Sequence, residues 1–254
     1  MDMTHKEEFV SLWTKYFDSA ELPIVFYYTD DSGSVDLVPP PSGHRCIFAD
    51  LSKVRAGESL CFDAESLGCF GGKRYAGFST AVMPNFKYFL SCGIPGTLEG
   101  ERYKKTPELV IQWMEQAPQL EAPRRFIIFF ARPDVLSGLF TLANFDIAEP
   151  NGVFAPFGAG CASIMQYPYL ERESDSPRSV LGLFDVTARP FVVDDILTFS
   201  VPMKRFQQMI DNMDRWARLW LSPVTPSAAS EPMYAELVDS SSIPAALAAS
   251  MRSF

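Results

Sequence analysis

The feature that most constrains this chain is the run Phe126-Ile127-Ile128-Phe129-Phe130-Ala131, an unbroken apolar stretch behind Arg125. A strand wetted on one face alternates polar and apolar positions, so a run without alternation belongs in the middle of a sheet covered on both faces. Structure must lie on each side of it. Thr4 and Glu7 form a capping box, and Phe9, Leu12, Trp13, Tyr16 and Phe17 follow at helical spacing, which predicts a helix over about 4–18. Pro133 and Asp134 open another that runs to about 144. The clearest helix covers 203–221, where Phe206, Met209, Ile210, Met213, Trp216, Ala217 and Trp220 make one apolar stripe. That stripe is expected to be core or the face of a homodimer.

Thr106-Pro107-Glu108 has the pattern of a helix start, with Leu109, Val110, Trp113 and Met114 as its apolar face. A short helix is expected from about Cys46 to a stop near Gly57. Strands are expected over 24–28, 153–155, 179–186 and 196–201, with β-like character from Tyr75 to Phe78. Helices and strands mix without strict alternation. The predicted class is therefore α+β, with a mixed, mostly antiparallel sheet packed with several helices in a single large domain over 1–221. Residues 222–254 turn to Ser, Ala and Pro and are expected to form an arm or tail.

Composition narrows the function classes. A net charge of −9 and a pI near 4.8 repel phosphate backbones, so no nucleic-acid partner is expected. No apolar run approaches the ~20 residues that span a bilayer. Asp2, Glu7, Glu8 and Asp18 break up the first 20 residues, unlike a signal peptide, so a cytoplasmic location is expected. In a reducing compartment the five cysteines are not a disulfide framework. With only two histidines, His5 and His44, chemistry that rests on histidine is sharply limited.

The cysteines sit in unusual company. Gly68-Cys69-Phe70-Gly71-Gly72-Lys73-Arg74 and Phe157-Gly158-Ala159-Gly160-Cys161 each place a cysteine among glycines and aromatics, about 90 residues apart. Glycine allows close backbone approach, and cysteine is a soft nucleophile and metal ligand. One site built from both segments is expected. Cys161 and Cys69 are its candidate catalytic thiols. The turn Gly158–Gly160 before a helix can bind an anion and lower the Cys161 pKa through the helix dipole. Gly71 and Gly72 can offer an amide nest, with Lys73, Arg74 and Arg102 as the cations that position an acid group. Phe70, Tyr75 and Phe157 would wall the ligand. The competing explanation is tight packing around buried, inert thiols.

Cys46, Cys61, Cys69, Cys92 and Cys161 can also supply soft ligands, with Cys46, Cys69 and Cys161 the favoured metal set. Their separations of 15, 8, 23 and 69 residues are unlike compact ferredoxin motifs, so an iron–sulfur centre here would have dispersed ligands. His44 lies two residues from Cys46, and is expected to be a loop histidine beside an unrelated thiol. Asp185 and Arg189 are expected to form a structural ion pair.

Several motifs occur in one order: Gly68-Cys69-Phe70-Gly71-Gly72 with Gly77-Phe78, Gly100-Glu101-Arg102-Tyr103, Phe157-Gly158-Ala159-Gly160-Cys161, Leu181-Gly182-Leu183-Phe184-Asp185 and Phe199-Ser200-Val201-Pro202. In this the chain resembles the "archaeal conserved region" family, domain of unknown function 169, over roughly residues 5 to 221. The family pattern has a cysteine near the start of its globular body, which Cys46 matches. Where that pattern often has Cys-Pro-Gly-Gly, this chain has Cys69-Phe70-Gly71-Gly72 and lacks the rigid turn residue. The family carries no established activity. The functional expectation is therefore a cysteine-dependent protein that binds an iron–sulfur centre or an anionic small molecule. The alternatives are a non-catalytic small-molecule binding module and a structural homodimer subunit.

Overall fold

The computed structural model describes residues 5–18, 20–30, 33, 35–79, 108–113, 125–156 and 158–220. By internal contacts the chain parts into two units, Met1–Trp216 and Ala217–Phe254, and the first holds the whole sheet. The strands are β1 (Ile24–Thr29), β2 (Leu60–Phe62), β3 (Glu108–Trp113), β4 (Arg125–Ala131), β5 (Val153–Phe154), β6 (Ser179–Gly182) and β7 (Leu197–Pro202). They form one seven-stranded sheet in the order β2-β3-β1-β4-β7-β6-β5. Every pairing is antiparallel except β5 with β6. The fold is α+β with a mixed sheet.

The apolar run is β4, in the middle of the order and paired with β1 and β7. Alternate side chains of β4 serve different layers. Phe129 meets Phe9 and Trp13 of α1 (His5–Tyr16) and Phe206 of α6 (Met203–Trp220). Phe126, Ile128 and Phe130 join the opposite layer, with Ile47, Phe48 and Leu51 of α2 (Ile47–Arg55) and with Tyr75 of α3 (Phe70–Tyr75). The apolar stripe of α6 is core as far as Trp216: Phe206, Met209, Ile210, Met213 and Trp216 are all buried. Trp216 also donates its indole N–H to Thr141 Oγ1 of α4 (Pro133–Leu142) at 3.0 Å.

Three local expectations are corrected. Residues 108–113 form strand β3, not a helix. Pairing with β1 on one side and β2 on the other satisfies its backbone, and this overrides the Pro-Glu start signal. The Tyr75–Phe78 stretch is not β-like but the end of a helix. Gly77 takes φ +82, the Phe78 amide donates to the Lys73 carbonyl and the Gly77 amide to the Arg74 carbonyl. That is a Schellman close, which needs a residue without Cβ at the left-handed position. Strand β6 is also shorter than expected and ends at Gly182; the next residue, Leu183, has φ +72 and turns the chain away. No helix among the described residues is long and apolar enough to cross a membrane.

Candidate functional site

Cys46, Cys69 and Cys161 each stand at the start of a helical segment. Cys46 caps α2 and Cys69 caps α3. Cys161 directly precedes a π-helical segment (Ala162–Gln166) that continues as α5 (Tyr167–Glu171). Arg45 ties the first two starts together. Its amide donates to the Gly68 carbonyl at 3.1 Å, its Nη2 to the Ser66 carbonyl, and its Nε to buried Asp50 at 3.0 Å. Tyr28 of β1 fixes the far end of α3 by donating its hydroxyl to the Ala76 carbonyl at 3.0 Å.

All three cysteines line one cavity of about 310 Å³. Phe48, Tyr75, Ala159 and Ala188 supply apolar wall, and His44, Asp185 and Thr187 supply polar groups. Cys46 and Cys161 are buried and Cys69 is half-buried. Cys69 also lines a shallower groove with Pro41, Phe70 and Lys73, so it stands between the cavity and the outside.

Asp185 fastens the third wall. Its Oδ2 accepts the Gly160 amide at 3.1 Å, and its Oδ1 accepts the Thr187 amide at 2.9 Å and hydroxyl at 2.7 Å. An internal carboxylate thus occupies the amide of Gly160 that was expected to receive a ligand anion. Gly160 has a separate reason to lack a side chain. A Cβ there would lie 2.9 Å from the Phe48 ring, whereas at Gly158 only the Tyr167 hydroxyl would be met, at 3.8 Å.

The surroundings of Cys161 oppose the lowered pKa expected of it. Burial pushes the Cys161 pKa well above its ordinary value, and the neighbouring Cys69, Cys46 and Asp185 push the same way. Burial also raises Cys46, with the Phe48 amide opposing, and Cys69, Asp185 and Asp50 adding to the rise. Desolvation is the largest influence on both thiols. The nearness of the three shows in the one cavity that they line together.

The other expected site residues are spread more widely. Gly71 lines the thiol cavity beside Tyr75, and buried Gly72 lies on α3 against Cys69. Lys73 faces the outer groove, and Arg74 lines neither space. Cys61 is fully buried on β2, away from the cavity lining. Arg102, Cys92 and Phe157 lie outside the described residues. His44, expected to be incidental, lines the cavity. Arg189 does not pair with Asp185; its guanidinium donates to the carbonyls of Ile196, Val193 and Asp194. His5 is half-buried in the first turn of α1.

A family model for uncharacterised ArCR proteins, domain of unknown function 169, matches residues 14–212. The chain belongs to this family. The match takes in Cys46, Cys69, Cys161 and Asp185, so the whole cavity lies within the family's domain. No curated protein and no solved structure matches the chain.

Proposed function

We propose that the protein holds an iron–sulfur cluster in the thiol cavity, with Cys46, Cys69 and Cys161 as ligands and His44 in reach of a further position. The observation that carries this reading is the meeting of three cysteines from three distant segments at one cavity. Among the described residues no group of three His, Cys, Asp or Glu is arranged to hold one metal ion. A single ion draws its ligands close, to about 2.3 Å for zinc–sulfur, whereas a cluster spreads its thiolates over several irons. A cluster therefore asks less of the distances between the three thiols than a lone ion does. A bound cluster supplies one-electron chemistry. The residues of the chain hold it, exclude water with Phe48 and Tyr75, and give up the Cys46 and Cys161 protons on loading. Free thiols at such a site fit the cytoplasm, where we place the protein.

An anionic small molecule fits less well, because Asp185 lines the cavity and, among the described residues, no lysine or arginine does. The second reading is a non-catalytic module for a neutral small molecule, favoured by the apolar wall of Phe48, Tyr75, Ala159 and Ala188. Purification without oxygen, followed by iron and sulfide analysis and a visible spectrum, separates the two. Iron and acid-labile sulfide with sulfide-to-iron absorption, largely lost in Cys161→Ser, is the expected result. Protein that stays colourless after anaerobic reconstitution with ferrous iron and sulfide overturns the cluster and leaves the binding module.

A further inference from the structure

We infer that Asp185 makes the thiol cavity selective by charge, admitting cationic or neutral thiophilic species and rejecting anions. The inference deepens the cluster reading by naming which form of metal or thiol reagent reaches Cys46, Cys69 and Cys161, and it rests on that reading for its biological use.

The carboxylate is held in place from both sides, by the Gly160 amide and by the amide and hydroxyl of Thr187. Leu183 sets up this placement at the end of β6. Its left-handed backbone turns the segment that follows, so that Asp185 reaches the helix start beside Cys161. Strain of this kind persists only where surrounding structure demands it, and it clusters at functional sites. Buried Leu183 anchors the turn.

Among the described residues, no lysine or arginine lines the cavity with Asp185. Among the described lining residues only His44 is able to carry positive charge, and Lys73 looks onto the other groove. Arg189, four residues on, turns its guanidinium onto backbone carbonyls instead of onto Asp185. The effective dielectric of a partly enclosed space lies below that of water, so a fixed carboxylate that is half-buried there acts with less screening than one on the open surface. Iron reaches such a site as a cation, and the carboxylate raises its local concentration. Anionic thiol reagents, including acidic disulfides, meet repulsion at the same place.

The test uses the metal-free full chain and two methanethiosulfonate reagents of similar size, one bearing trimethylammonium and one bearing sulfonate. Labelling of half-buried Cys69 is followed by peptide mass mapping. The cationic reagent is expected to react faster by about tenfold or more. Asp185→Asn should bring the ratio near one. Asp211→Asn, which makes the same change in net charge at an exposed position of α6, should leave it unchanged. Equal rates in the wild type overturn the inference even if Asp185→Asn fails to fold. So does a ratio that survives Asp185→Asn or collapses equally in Asp211→Asn. A colourless, iron-free protein with the tenfold preference intact would defeat the cluster reading alone.

Discussion

Gly160→Ala tests the packing that brings Cys161 to the cavity. The added methyl would sit 2.9 and 3.1 Å from two carbons of the Phe48 ring and 3.4 Å from the Ala188 Cβ. Phe48 is only 1 % exposed and stands edge-on to Phe130, ring centres 6.4 Å apart, so its ring can yield only towards the thiol cavity that it walls. Overpacking of this kind costs about 1–3 kcal/mol. Alanine returns about 0.5 kcal/mol relative to glycine at a helix end. The net loss is about 0.5–2.5 kcal/mol, and for a chain of this size it lowers Tm by about 1–10 °C. Gly158→Ala is the control, since its methyl meets only the Tyr167 hydroxyl at 3.8 Å. It should leave Tm unchanged or raise it slightly. Thermal unfolding followed by circular dichroism decides the matter. A Gly160→Ala protein as stable as wild type, or a Gly158→Ala protein equally weakened, refutes the account of this wall.

Alkaline stability follows from the thiols. Cys46 and Cys161 hold their protons more tightly folded than unfolded, so their contribution is fully present below the ordinary thiol value of 9.0 and is lost as pH rises past it. The slope is at most about 1.4 kcal/mol per pH unit for each thiol. Urea midpoints between pH 7 and 10 should fall above pH 9, and Cys161→Ala should flatten that fall; a decline of equal steepness in the variant counts against it. Arg205→Ala removes a buried guanidinium that pairs with Asp146 and donates to the Ala143 carbonyl at 3.0 Å. The expected loss is about 3 kcal/mol, and a urea-derived change under 1 kcal/mol would show that the pair is dispensable.

The candidate site was half legible. Cys69 and Cys161 announced themselves by their glycine neighbours, and Cys46 by its place in the family pattern. His44 and Asp185 did not, because nothing local marks a loop histidine or a carboxylate after a strand as facing a cavity. The Asp185-Val186-Thr187 sequence does carry the signal of an Asx turn, a carboxylate bonding the amide two residues on. What such a signal lacks is the third partner, the Gly160 amide, which lies 25 residues back in the chain.

Helix α6, helix α4 and strand β4 were determined by sequence alone, since each carries a periodic or unbroken apolar pattern long enough to overrule local alternatives. Tertiary structure decided the rest. Residues 108–113 became a strand because β1 and β2 offered hydrogen bonds on both edges. The state of the thiols was decided the same way. A helix start by itself favours a thiolate, but only the packed fold shows that Cys161 is buried beside two other cysteines and a carboxylate. Desolvation depends on everything that surrounds a group, and that is a property of three-dimensional neighbours with no counterpart in neighbouring residues of the chain.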